Sequence, residues 1–418
     1  MDFEQPDRYG NRRAYQRAGP SQVPDRSNKV CFHWQAGRCS RHPCPFLHSD
    51  PPQTVLADGA AKRGHLQGHV SRNPASAGAP PPSKWGKGRA GGKAPGKICN
   101  YFLAGNCSFG DRCRFLHSWF MSDSFSLLTQ LQGHQKVVTG IALPSESDKL
   151  YSCSKDESVR VWDTQTGKCV GAINMGGEVG CMISEGPWLF IGVTNAVKAW
   201  NTQTTTEQSL DGPVGQVYAL TVGNGMLFAG TQDARILVWK FSAAGNVFEP
   251  ATSLSDHRHA VVSLVAGAMK LYSGSMDNTI KVWDLATFQC LQTLSGHTSV
   301  VMSVLCWDKF LLSSSLDNTI KVWVSTDAGN LEVAYTHEEE HGVLALCGML
   351  DAEAKPVILC SCNDNSIRVY DLPSFSERGR IFSKQEMRAI QVGPGGLFFT
   401  GDGTGELKVW QWSSKQNN

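Results

Sequence analysis

The chain has 418 residues, enough for two or three folding units. Its formal charge of +2 conceals an asymmetry: residues 1–120 carry 18 Lys+Arg against 7 Asp+Glu, net +11, and residues 121–418 carry 21 against 30, net −9. The absence of any run of about 18 apolar residues excludes an ordinary membrane-spanning helix. Together with 14 cysteines in metal-type spacing and no apolar leader in MDFEQPDRYGNRR, it points to a soluble protein of a reducing, intracellular compartment.

Residues 1–28 are polar and aperiodic, the signature of a disordered tail. The first array of metal-type ligands follows in 29–49: Cys31, Cys39, Cys44 and His48, separated by seven, four and three residues. The segment 50–96 is rich in Gly, Pro and Ala, so it reads as a disordered basic linker, and its run GKGRAGGK (86–93) resembles the arginine/glycine segments that bind RNA loosely. As a flexible coil it would span roughly 40 Å, which makes the two flanking modules tethered and independent. The second array lies in 97–118: Cys99, Cys107, Cys113 and His117, separated by seven, five and three residues.

Three thiolates and one imidazole complete a tetrahedral zinc shell and leave no position for water or substrate. Each array therefore calls for one structural zinc ion, two in all, which stabilises a module too small to bury a core. The ligand set is formally −1 with zinc bound, so phosphate attraction must come from neighbouring cations. Lys97, Arg112 and Arg114 supply them in the second module, and Lys29, Arg38 and Arg41 in the first. A basic arm bearing two such modules on an acidic body implies a polyanionic partner.

From 124 to 413 the pattern changes to short β-type runs that end VRVW162, VKAW200, ILVW239, IKVW283, IKVW323, IRVY370 and LKVW410. The intervals of 38, 39, 44, 40, 47 and 40 residues match a four-stranded propeller blade and predict seven blades. The run Phe125–Leu131 has no blade of its own and should supply the outer strand of the last one. A His, a Ser, an Asp and a Trp recur at matching places in repeats 1, 4 and 5. They are His134, Ser152, Asp156, Trp162; His257, Ser273, Asp277, Trp283; and His297, Ser313, Asp317, Trp323. A nucleophile is needed once, whereas a blade staple is needed repeatedly, so recurrence favours a structural role. Repeats 2, 3 and 7 lack parts of this set and should lean on apolar packing. The eight cysteines from Cys153 to Cys362 lie in apolar contexts and read as small hydrophobes. No phosphate loop, hydrolase or paired-carboxylate constellation occurs, so no enzyme and no small-molecule substrate is expected.

With Gly133-His134, Gly296-His297, Trp162-Asp163 and Trp283-Asp284, the repeats resemble the WD-repeat family. The arrays resemble the CCCH zinc-finger family, the second (CNYFLAGNCSFGDRCRFLH) closely. That resemblance implies aromatic rings stacking on single-stranded RNA bases, with Phe109 and Phe115 as the matched rings and Phe102 as a third. In the first finger Trp34 and Phe46 match Phe102 and Phe115, but Arg41 replaces the ring at the Phe109 position and one loop is a residue shorter. The alternative is that these rings only cover the zinc ligands.

The whole architecture resembles plant ZFWD-type proteins: all-β, a seven-bladed WD40 propeller preceded by two CCCH fingers in a largely disordered basic region. It implies a nucleic-acid-binding adaptor in the nucleus, with the cytoplasm as a second site. Single-stranded RNA is the favoured ligand and DNA the alternative, with protein partners on the propeller and no membrane. A ubiquitin-ligase receptor is a further alternative, although Gln165 and Ala286 stand where such receptors carry Arg or Lys.

Overall fold

The computed structural model describes residues 97–109, 112–145 and 147–413; the expected tail, first finger and linker lie outside them. The first sheet is Val138–Ala142, Lys149–Ser154, Ser158–Asp163 and Cys169–Asn174, each strand antiparallel to the next. Val261–Gly267, Lys270–Ser275, Thr279–Asp284 and Cys290–Ser295 repeat this arrangement, as do Val301–Trp307, Phe310–Ser315, Thr319–Ser325 and Leu331–Glu338. Val343–Leu350, Pro356–Cys362, Ser366–Asp371 and Ser376–Phe382 gain a fifth strand, Phe120–Met121, at the outer edge.

The last sheet, Met387–Val392, Leu397–Asp402 and Leu407–Trp412, is completed by Phe125–Leu131. Its register sets Leu127 opposite Trp410 and Leu131 opposite Leu407. Met387–Val392 in turn contacts Val138–Ala142 of the first sheet, so the ring closes. Closure completes the last sheet with four strands, and each sheet ends at the circumference in a single short edge strand.

The expectation of seven separate blades is corrected: the strands of the described residues form six sheets. The second and third repeats run together into one six-stranded sheet, Val179–Glu185, Trp188–Asn201, Glu207–Gly223, Met226–Thr231, Arg235–Ser242 and Val247–Ser255. The cause lies in the second repeat, which lacks the Asp that stops the strand in its neighbours. Where the first repeat turns through Lys155–Glu157, held by Asp156, the second passes only Thr194-Asn195, with Asn195 at φ 65°. Trp188–Asn201 is therefore one extended strand that pairs first with Val179–Glu185 and then with residues 207–216, and Glu207–Gly223 runs on to pair with Met226–Thr231. One apolar cluster, including Trp188, Phe190, Leu227, Trp239 and Phe248, fills the joined sheet.

The recurring polar sets are hydrogen-bonded chains. His134 Nδ1 lies 3.0 Å from Asp156, its Nε2 lies 2.8 Å from Ser152 Oγ, and Trp162 Nε1 donates to that oxygen at 2.8 Å. The corresponding distances are 2.8, 2.7 and 2.9 Å about His257, and 2.9, 2.8 and 2.8 Å about His297. The aspartate carboxylate can only accept, so Nδ1 carries the imidazole proton; Nε2 of the neutral ring then accepts the serine hydroxyl, whose oxygen accepts the indole N–H. Ser152, Ser273 and Ser313 are fully buried, so none can meet a substrate.

Repeat 7 departs from the apolar expectation. Its Asp stands two places early, at Asp402, and accepts from the Thr404 hydroxyl and the backbone amides of Thr404 and Glu406. Trp410 Nε1 donates to Thr400 Oγ1 at 3.0 Å, and the buried Lys408 sits 2.8 Å from Glu406 and 3.6 Å from Asp402. Burial pushes the Cys153, Cys347 and Cys362 thiols up to about 12, consistent with inert core residues; Cys169 is exposed.

Ser313→Ala strands the His297 and Trp323 nitrogens without a partner and should cost about 1–3 kcal/mol in urea unfolding. Burial holds His297 below its usual pKa. For Asp317 burial acts upward, but the Thr319 hydroxyl, the Thr298 amide and His297 outweigh it and hold the carboxyl low. Both groups bind protons more readily when unfolded. Unfolding free energy should therefore fall as pH drops below about 6.5 and again through the carboxylate range. His297→Gln should shrink the first step of that profile and leave the share of His134, which burial also holds low.

Candidate metal centre and nucleic-acid interface

Local hydrogen bonds bring the second ligand array together. Cys99 N donates to Leu116 O at 2.9 Å and Leu116 N to Lys97 O at 3.1 Å, which ties the two ends of the module side by side. A four-residue helix, Asn100–Leu103, starts immediately after Cys99. Gly105 at φ 71° ends it, and Asn106 N returns to Tyr101 O at 2.8 Å. That left-handed position suits glycine, which has no Cβ to strain it.

The Sγ atoms of Cys99, Cys107 and Cys113 and a ring nitrogen of His117 all lie within 4.8 Å of one another. Cys99 and Cys107 sulfurs are 3.6 Å apart, and Cys107 and Cys113 sulfurs 3.9 Å. Tetrahedral zinc with Zn–S bonds near 2.3 Å needs sulfurs about 3.8 Å apart. His117 Nε2 is buried with no hydrogen-bond partner among the described residues, as a metal-directed nitrogen must be. These residues fit a zinc ion.

The thiols' titration is consistent with that fit. Burial pushes Cys99 up, but the Phe102 amide, His117 and the two neighbouring thiols outweigh it and bring it to about 7. For Cys107 the Phe109 amide acts downward, and burial with the adjacent sulfurs carries the value above normal. Three thiolates this close repel one another, and a dication lets all three ionise together. Zinc bound here holds the loop closed and supplies no reactive site.

The aromatic residues divide into two groups. Phe102 stacks on the ligand His117 at 5.2 Å and 14°, and its ring centre lies 5.5 Å from Trp119. One face of this ring is therefore covered within the protein. Phe109 and Phe115 point outward, 62 % and 52 % exposed. Tyr101 is equally exposed, a ring that the sequence reading passed over. Its signal was its place beside Phe102 on one helical turn, since adjacent residues cannot both face the zinc. Lys97, Arg112 and Arg114 are exposed, and no carboxylate among the described residues pairs with them. The first finger's Cys31, Cys39, Cys44, His48, Trp34, Arg41 and Phe46 lie outside the described residues.

The second finger is seated on the propeller. Trp119 O accepts Phe382 N at 2.8 Å, and Phe120 pairs with Ile381 as a strand. The buried Lys408 ammonium lies 4.7 Å from the Trp119 ring centre, and Phe120 meets Trp410 edge-on at 5.7 Å. Trp119 thus lies between a finger ring and a propeller cation.

Residues 97–118 match the family model described as a CCCH-type zinc finger. Residues 125–163, 248–284 and 288–324 match the WD domain, G-beta repeat, and these segments hold the three complete His–Ser–Asp–Trp staples. The chain is 64 % identical to zinc finger CCCH domain-containing protein 17 of Oryza sativa subsp. japonica, covering 99 % of this chain and 98 % of that protein. It is 58 % identical to zinc finger CCCH domain-containing protein 48 of Arabidopsis thaliana, over 97 % of each chain. Identity to protein 63 of the same plant is 55 %, over 99 % of each.

Structural zinc is worth about 10–16 kcal/mol to a small finger, far more than residues 97–118 could gain by burial alone. Cys107→Ser should abolish one zinc equivalent per chain by metal analysis and collapse the finger's dispersed amide resonances. The propeller's unfolding transition should remain.

Proposed function

Since this chain belongs to the plant family of CCCH zinc-finger proteins that carry WD repeats, we propose that it is a zinc-dependent RNA-binding adaptor. In this reading the second finger holds single-stranded RNA and the ring of sheets recruits protein partners. The observation that carries it is the set of outward rings Tyr101, Phe109 and Phe115 beside Lys97, Arg112 and Arg114, cations without a carboxylate partner among the described residues. Exposed aromatic area is costly to leave in water unless a partner covers it, and bases in a single strand offer free π-faces.

Duplex DNA hides those faces, and its readers insert a long helix or a ribbon into the major groove. The four-residue helix Asn100–Leu103 is too short for that, which favours the single-stranded reading. The reading puts the protein in the nucleus, with the cytoplasm as a second compartment. Among the described residues every cysteine is free, in keeping with a reducing environment.

Stacking contributes about 1–3 kcal/mol per base, so Phe115→Ala should weaken binding to a single-stranded RNA roughly five- to 150-fold. Neutralising Arg112 and Arg114 together should weaken it at all sequences and lower the salt slope by about 1.4. Fluorescence anisotropy at fixed salt, with duplex DNA alongside, checks both. Tighter duplex binding, or a Phe115→Ala variant that binds like the wild type, would overturn the reading.

A further inference from the structure

The way the finger is seated has a consequence for where its ligand goes next. We infer that a single strand held by the second finger continues across Trp119 and Lys384 onto the mouth of the propeller's central channel, where cationic and amide side chains hold further nucleotides. This rests on the single-stranded reading of the finger.

Contacts link Trp119, at the foot of the finger, to the channel mouth. Lys384 is exposed, lies 5.9 Å from the Trp119 ring centre, and has no carboxylate partner among the described residues. Its carbonyl oxygen accepts Asn365 Nδ2 at 3.5 Å, and both Asn365 and the next residue, Gln385, line the channel. From Lys384 to Arg388, another channel residue, the chain can extend at most about 14 Å, a distance that a few nucleotides bridge.

The channel's charge differs from that of the body around it. Residues 121–418 are net −9, yet the charged residues lining the channel are Lys136, Lys155 and Arg388 against Glu386 alone. Glu178 beside it is shared by both lysines at 3.9 and 3.8 Å, loose pairs that phosphate could replace. Arg388 is paired with Glu386 at 2.8 Å. With Lys384 the local balance is two positive charges, in a cavity of about 1000 Å³. A concave wall concentrates such a field on a bound anion. Amide side chains there can donate to and accept from base edges.

The test uses the full-length zinc-loaded protein and two uridine-rich RNAs, of about six and about 14 nucleotides, within the usual range of single-strand site sizes. The shorter covers the finger and the longer can reach the channel. Lys384→Glu, and separately Lys136→Glu with Lys155→Glu, should weaken the longer RNA about five- to tenfold and leave the shorter within about twofold. Phe115→Ala should weaken both. Ultraviolet crosslinks from the longer RNA should map to peptides around 384–388 as well as to the finger. Unchanged affinity of the longer RNA in both charge variants, with crosslinks confined to 97–118, overturns the inference while the finger reading stands. If Phe115→Ala leaves both RNAs bound as tightly as before, the finger reading falls and this inference with it.

Discussion

Pairing of Phe125–Leu131 with Leu407–Trp412 joins the two ends of the repeat region, and the remaining geometry depends on it. The strand Phe125–Leu131 completes the last sheet, and that sheet packs on the first through Met387–Val392 and Val138–Ala142, so the two ends of the repeat region clasp the ring shut. The same pairing fixes Phe125 against Trp410, Trp412 and Phe398, with ring centres 5.3 to 6.0 Å apart. Only a few residues separate this anchor from the zinc ligand His117. The finger therefore inherits its position from ring closure, and Trp119 and Phe120 fill the seam between them. The second finger and the acidic body meet in a defined junction at that seam.

Within the ring, two kinds of polar solution occupy one structural problem. Each hairpin between the second and third strands of a repeat must have its backbone polar groups satisfied where water is excluded. Repeats 1, 4 and 5 use the buried His–Ser–Trp chain closed by an aspartate. Repeat 7 moves the aspartate by two residues and buries Lys408 against Asp402 and Glu406. Repeat 6 buries Arg368 between Glu339 and Asp364, at 3.2 and 3.1 Å, with Tyr370 donating to Glu339. A buried cation needs its counter-charge close at hand, so these repeats are intolerant of single losses even though they look degenerate in sequence. In repeat 7 the cation serves a second purpose, since Lys408 also faces Trp119.

The aromatic residues of the finger illustrate how burial sorts equivalent side chains. Phe102, Phe109 and Phe115 are alike in chemistry, and all three are candidates for stacking by position. A four-ligand zinc shell leaves one face of the His117 ring open, and Phe102 covers it. That use removes it from the set of wholly free rings, while Tyr101, its helical neighbour, turns outward.

Ligand identity in Cys99, Cys107, Cys113 and His117, the repeat period, the staples and the swapped outer strand were all legible in one dimension. Each follows from local chemistry or from spacing: zinc demands particular atoms at short intervals, and a blade demands a Trp every forty or so residues. Three features were not legible. The merging of repeats 2 and 3 into one sheet depends on hydrogen bonds between strands, which a missing turn residue permits but does not dictate. The relocated ion cluster of repeat 7 needs Lys408, Glu406 and Asp402 brought to one buried point. The docking of the finger joins residues about 265 and 290 positions apart, Trp119 with Lys384 and Lys408, and no periodicity links them. Sequence by itself thus determined the zinc ligands of the second finger and the period of the strand repeat, because those are short-range demands. Only the tertiary structure decided how the modules face one another, because contacts made across the ring depend on its closure.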